Sequence, residues 1–156
     1  VPERLGSLGW VRTMPYPGFP TDAQAPLMAA ALKADGTTVF TETIFQNRYR
    51  HVNEMARMGA RVRTEGKVAI VTGVPRLHGA SVRCTDLRGG AALCAAALAA
   101  EGQSVIAEIH HIERGYEHLD ESLRQLGANI TRSDHETEAE ETQTEQPTTS
   151  EEGSGA

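Results

Sequence analysis

The sequence predicts an α/β (α+β) fold built from two tandem βαβαββ units, and three observations carry that reading. The chain repeats itself in order at a nearly constant spacing. Each copy alternates helix-period and strand-period stretches. Each copy also places glycine where its helices should stop.

The repeat is read from four matches. Thr21-Asp22-Ala23-Gln24 aligns with Thr85-Asp86-Leu87-Arg88 at an offset of 64, and Ala34-Asp35-Gly36 with Ala100-Glu101-Gly102 at an offset of 66. Arg48 aligns with Arg114, again offset by 66, and Met58-Gly59-Ala60 with Leu126-Gly127-Ala128, offset by 68. A slow drift of this kind is what short loop insertions produce.

Each copy opens on Thr-Asp, where the carboxylate is a good acceptor for first-turn amides, so Asp22 and Asp86 are expected as helix N-caps. An apolar stripe at spacings of three and four comes next: Ala23, Leu27, Ala30 and Ala34 in one copy, Leu87, Ala91, Cys94 and Leu98 in the other. Gly36 and Gly102 are expected to stop these helices. β-branched stretches succeed them, Thr37 to Ile44 and Ser104 to Ile109, each leading to a turn that delivers an arginine. A second helix, clearest as Tyr116, Leu119, Leu123 and Leu126, ends at Gly59 or Gly127. Arg61–Thr64 and Lys67–Val71 then flank Glu65-Gly66 as a hairpin. The second copy runs to Thr131-Arg132 and is expected to lack its last strand.

The expected organisation is therefore residues 1–20 as a remnant of a preceding unit with a Pro-rich entry, 21–73 as the first unit, 74–132 as an incomplete second unit, and 133–156 as a tail. Leu5 to Thr13 reads as the last strand of that earlier unit, and Pro15, Pro17 and Pro20 stiffen the stretch beyond it.

Composition narrows the function. Hydrophobic residues make up 39% but aromatics only 4%, so the core must come from Ala, Val, Leu, Ile and Met. The net charge of −6 hides a division, because eight of the 21 acids lie from Asp134 onward, where there is no Lys or Arg. The chain before that point is slightly basic. The tail is expected to be disordered, since it has almost nothing apolar to offset its ordering entropy. No stretch has the roughly 18–20 apolar residues a membrane span needs. Val1-Pro2-Glu3-Arg4 is no signal peptide and there is no initiator Met, so the expectation is a cytoplasmic chain that begins inside a longer protein. Cys84 and Cys94 are expected as reduced, mostly buried thiols.

Chemistry is sought at the loops. Asp22, behind the stiff Pro20-Thr21, is either a plain helix cap or a base for acid/base work. Arg48 and Arg114 share one repeat position, from which a planar guanidinium could grip phosphate or carboxylate; the bland alternative is a solvated surface side chain. Arg88 stands in the first turn of a helix, where backbone amides add to anion affinity. His110-His111, read as extended, would point to opposite faces and form no joint metal site. No metal and no cofactor is expected. No GxxxxGK[ST] or GxGxxG occurs, and the scattered basic residues argue against nucleic acid.

Longer motifs carry a resemblance. Pro15-Tyr16-Pro17-Gly18-Phe19-Pro20-Thr21-Asp22-Ala23-Gln24, Thr41-Glu42-Thr43-Ile44-Phe45-Gln46-Asn47-Arg48-Tyr49, Arg57-Met58-Gly59-Ala60, Thr85-Asp86-Leu87-Arg88 and Glu113-Arg114-Gly115-Tyr116-Glu117 closely resemble the UDP-N-acetylglucosamine enolpyruvyl transferases, over about Arg12 to Arg132. The resemblance implies an inside-out α/β barrel lobe of three βαβαββ units, two of them present, facing a second lobe across the active site. It implies transfer of the enolpyruvyl group of phosphoenolpyruvate to the 3-hydroxyl of UDP-N-acetylglucosamine, the first committed step of peptidoglycan synthesis. On this resemblance Asp22 contacts the 3-hydroxyl and is the base, and the Ile44 backbone, with Phe45 beside it, contacts the sugar nucleotide. Arg114 engages phosphoenolpyruvate, while Arg48, Asp86 and Arg88 surround the same anion. Asp22 and Arg114 are thus the catalytic pair.

There are departures. Gln46 stands where the family usually has Glu, and Gly89-Gly90 replaces an Ala-Ser pair. Cys84 and Cys94 do not match the family's reactive cysteine, which belongs to the N-terminal lobe with a Lys and an Arg of the phosphoenolpyruvate site. The chain alone is therefore expected not to turn over, and that lobe is its implied partner. Two alternatives remain: the sister transferase acting on shikimate 3-phosphate, and a non-catalytic binding lobe.

Overall fold

A computed structural model describes residues 5–133, so the expectation of a disordered acidic tail falls almost wholly outside the described residues. The chain runs β1 (Trp10–Arg12), α1 (Gln24–Ala31), β2 (Thr37–Thr41), α2 (Val52–Arg57), β3 (Arg61–Glu65) and β4 (Val68–Thr72). It continues through β5 (Leu77–His78), β6 (Ser81–Arg83), α3 (Leu87–Leu98), β7 (Ala100–Glu101), β8 (Val105–Ala107), α4 (His110–Glu113) and α5 (Leu119–Gln125).

The repeat is visible in the pairing. β1 runs parallel to β2 with Arg12 opposite Thr41, and β6 runs parallel to β8 with Arg83 opposite Ala107. Just before each pair lies a second parallel contact, Gly6 with Asp35 in one copy and Leu77–His78 with Ala100–Glu101 in the other. This corrects the expectation for the N-terminal segment. Trp10–Arg12 is the opening strand of the first unit, not the close of an earlier one, because its partner is the strand that follows its own helix. Val11-Arg12-Thr13 is the counterpart of Val82-Arg83-Cys84, at an offset of 71. The offset falls to 64 at Asp22 and Asp86 because Met14–Pro20 is an insertion of the first copy.

β3 and β4 form the expected hairpin, with Glu65 opposite Val68, and Gly66 turns it at φ +56°. β4 pairs antiparallel with β2, so the first sheet has the order β1-β2-β4-β3. Among the described residues no strand follows α5, and β8 pairs with β6 alone.

The core lies between the first sheet and the helices. Met28, Leu32, Phe40, Met55, Met58, Val71, Leu77, Val82 and Leu93 are fully buried, and α1 packs chiefly on α3. Small residues on both helices, Ala25, Ala29, Ala92 and Ala96, let the two backbones approach. The buried face of α1 is one residue out of step with the stripe expected from sequence: Ala25, Met28, Ala29 and Leu32 face inward, and Ala30 is exposed. Every residue from Ala25 to Ala31 is apolar, so periodicity has no polar face to set its phase. Leu98, at the end of α3, is also exposed.

Glycines behave in two ways. Gly59 and Gly127 end α2 and α5 as expected, with φ +85° and +94°. In each case the glycine N–H and the next N–H turn back to the last helical turn, Gly59 to Ala56 and Ala60 to Met55, Gly127 to Arg124 and Ala128 to Leu123. These are matched Schellman ends. Gly36 and Gly102 do not cap α1 and α3. They lie several residues further on, with φ +95° and +91°, and turn the chain toward the next strand.

Candidate active site

Two helix starts and one turn bring the charged residues together. Asp22 sits in a one-turn 3-10 helix, Thr21–Ala23, directly before α1. It makes no side-chain cap, and the cap position is taken by Pro20. The carboxylate, freed from the helix end, is turned to two arginines instead. Arg48 Nη2 lies 3.1 Å from Asp22 Oδ1, and Arg88 Nη2 lies 3.3 Å from Oδ2. Asp86, its repeat partner, does cap: Oδ1 accepts the Gly89 N–H at 2.7 Å and starts α3. One repeat position thus has two uses.

Arg88 leaves the first turn of α3 and donates to the Tyr116 hydroxyl at 2.9 Å, with its guanidinium 5.4 Å from that ring's centre. The hydrogen bond to Tyr116 does most to raise its pKa, and Asp22 adds to it. Arg48 lies 4.9 Å from the centre of the Phe45 ring. Its turn is held by the Tyr49 hydroxyl, which donates toward the carbonyls of Phe40 and Lys67. Burial, with Glu42 nearby, pushes that hydroxyl up to about 12, so it stays protonated.

Beneath these groups is His51, buried against the first turn of α3. A Cβ on Gly89 would lie 3.0 Å from that of His51. Burial pulls its pKa down to about 4; Asp86 opposes that shift and Arg48 reinforces it. His51 is therefore neutral at pH 7.

Of the expected residues, the structure joins Asp22, Arg48 and Arg88 directly, and sets Asp86 at the base of the same helix. Ile44 and Phe45 lie on the loop after β2, half exposed. Arg114 is not drawn into the cluster. It is exposed at the end of α4, two residues from Tyr116, and makes no ion pair among the described residues. The preceding His110 and His111 are helical, not extended, with ring centres 4.1 Å apart. Tyr116 lies before α5 rather than in it.

Sequence reasoning missed Glu42. This carboxylate is 1% exposed and accepts four hydrogen bonds, from Thr13, Thr21 and the amides of Ile44 and Phe45. The available signal was its position, which matches Glu108 at the same offset that joins Arg48 to Arg114. Cys84 and Cys94 are free and buried, and burial raises their thiols to about 12 and about 11. A hollow of about 660 Å³ lies elsewhere, bounded by Leu98, Val105, Ile109, Leu119 and Ile130. It lacks the arginine cluster, so the polar groups around Asp22 define the better candidate site. No helix among the described residues is long and apolar enough to cross a membrane.

The mixed α/β repeat that carries this cluster is similar in fold to the enolpyruvyl transferases. The family model described as EPSP synthase (3-phosphoshikimate 1-carboxyvinyltransferase) matches residues 3–123, and the chain belongs to that family. Within it the chain is 54% identical over 131 residues to UDP-N-acetylglucosamine 1-carboxyvinyltransferase 1 of Symbiobacterium thermophilum, covering 84% of this chain and 30% of that protein. It is 52% identical over 126 residues to UDP-N-acetylglucosamine 1-carboxyvinyltransferase of Desulfofundulus thermocisternus, covering 81% and 52%. The crystal structure of the enolpyruvyl transferase NikO from Streptomyces tendae superposes with a TM-score of 0.72 at 32% identity, over 80% of this chain and 28% of that one. The chain thus spans about a third to a half of the length of these relatives.

Proposed function

We propose that this chain forms one wall of a transferase that moves the enolpyruvyl group of phosphoenolpyruvate to the 3-hydroxyl of UDP-N-acetylglucosamine, with release of phosphate. The observation that carries the reading is Asp22 held between Arg48 and Arg88. The names of the relatives at 52% and 54% identity support the sugar nucleotide as acceptor.

The chemistry follows from charge. Asp22 takes the proton of the 3-hydroxyl, whose oxygen bonds to C2 of phosphoenolpyruvate as a proton reaches C3. The adduct carries both carboxylate and phosphate. A proton then leaves C3, the C2–O bond to phosphate breaks, and the double bond returns. Fixed guanidiniums offset the charge of this adduct without reorganising. Each Asp22 oxygen has two lone pairs and accepts one arginine, so lone pairs remain for the substrate proton. Arg88 and Arg48 serve the anion, and Arg114, exposed at the rim, meets phosphoenolpyruvate when an opposing lobe closes. That lobe supplies the reactive cysteine and the rest of the phosphoenolpyruvate site. The setting is the cytoplasm, and the product feeds cell-wall synthesis, cell shape and division.

Phosphate release tests the reading. A complete transferase carrying these residues is expected to release phosphate from phosphoenolpyruvate with UDP-N-acetylglucosamine as acceptor, and this chain alone is not. Release with shikimate 3-phosphate instead would assign the sister activity, and binding without release would leave only a binding lobe.

A further inference from the structure

We propose that Glu42 is a positioning residue for the acceptor side of the cleft, tying the Thr21–Asp22 turn to the backbone amides of Ile44 and Phe45. Its Oε1 accepts from Thr13 Oγ1 at 3.0 Å, Ile44 N at 2.9 Å and Phe45 N at 3.1 Å. Its Oε2 accepts from Thr21 Oγ1 at 2.9 Å. One carboxylate thereby joins the end of β1, the turn that carries Asp22, and the loop after β2. Thr13 tightens the junction, because its hydroxyl oxygen also accepts from Thr43 N at 2.9 Å.

Burying a carboxylate is costly unless its lone pairs are satisfied. Glu42 forms no ion pair among the described residues, and all four donors are neutral hydroxyls and amides. Such a group acts as a hub that fixes geometry.

The internal repeat supplies a control. Thr13 N donates to the Thr41 carbonyl at 3.0 Å, and Cys84 N donates to that of Ala107 at 3.0 Å, so Thr13 and Cys84 are equivalent. Glu108 follows Ala107 as Glu42 follows Thr41, yet Glu108 is exposed at φ +59° with His110 Nδ1 3.4 Å away. The βαβ arrangement therefore forms in the second copy without any such hub. The first copy differs by the insertion Met14–Pro20, which lies between Thr13 and Thr21, the two hydroxyl donors to Glu42. Glu42 is what fastens that insertion to the Ile44–Phe45 loop.

The kinetic test rests on the transferase reading, and the exchange test on geometry alone. In this chain, Glu42→Gln keeps the shape and removes the charge. It is expected to speed amide hydrogen exchange at Ile44 and Phe45 by roughly tenfold, while Glu108→Gln leaves Ile109 and His110 within about twofold. Unchanged exchange at Ile44 and Phe45 overturns the proposal. Thr21→Val cuts one tie and leaves three, and carries the test should Glu42→Gln fail to fold. In a complete transferase it is expected to raise KM for UDP-N-acetylglucosamine by about tenfold, with KM for phosphoenolpyruvate within about twofold. An equal rise in both constants, or a lowered Tm with neither raised, overturns the proposal. A wild-type transferase without turnover would count against the transferase reading and leave exchange to decide on Glu42.

Discussion

Arg48 Nη2 lies 3.1 Å from Oδ1 of Asp22, far from it in sequence, and Arg88 approaches the other oxygen of the same carboxylate. The pairing aims the Asp22 carboxylate, yet its side chain remains 59% exposed.

Asp22→Asn separates catalysis from stability. Exposed ion pairs contribute about 0–1 kcal/mol, so Tm should move little. Removal of a general base costs on the order of 10²–10⁴ in kcat. Turnover of a complete transferase, measured beside a thermal melt, checks both, and near-normal turnover would remove the base role.

Arg114→Ala should be quieter still in stability. Arg114 is exposed and makes no ion pair among the described residues, so the change falls within about ±0.5 kcal/mol. A charged hydrogen bond to substrate contributes about 1.5–3 kcal/mol, so KM for phosphoenolpyruvate should rise roughly 10- to 150-fold. Steady-state kinetics with phosphoenolpyruvate varied would show it.

His51 should make the fold sensitive to acid. Its folded pKa of about 4 lies below the unfolded value of 6.5. Between these values the unfolded chain binds a proton that the folded chain refuses, so stability falls as pH drops from about 6.5 to 4. Full expression of the shift is on the order of 3 kcal/mol. Urea melts across this range should show a steeper loss for the wild type than for His51→Leu; parallel curves would contradict the assignment.

Cys84 and Cys94 should resist thiol reagents. With burial raising both thiols to about 11 or higher, almost no thiolate exists at pH 8. Labelling of the folded chain should be slow and should accelerate with denaturant, and rapid labelling in buffer would contradict their burial.

Much of this architecture was legible in the sequence, for local reasons. Glu65-Gly66 marked the hairpin, Gly59 and Gly127 marked helix ends, and Asp86 marked the start of α3. What stayed hidden was non-local or lacked contrast. Trp10–Arg12 is a short strand separated from its motif by the insertion, so the repeat's offset does not reveal its Val-Arg match with Val82-Arg83. α1 offers no polar stripe to fix its inward face. Glu42 looks like any solvated strand residue until Thr13 and Thr21 close over it. The meeting of Asp22 with Arg88 depends on two helices packing start to start, which spacing along the chain does not encode.

The lone pairing of β8 among the described residues bears on how the chain comes apart. In the first unit β2 is flanked on both sides, whereas β8 offers one row of backbone donors and acceptors to whatever lies beside it, next to a hollow lined by Leu98 and Val105. An open edge of this kind costs little to peel away. Melting should therefore start in the second unit and leave the first sheet standing, so that Arg88 departs from Asp22 before Arg48 does. The two arms of the carboxylate clamp would then have different lifetimes.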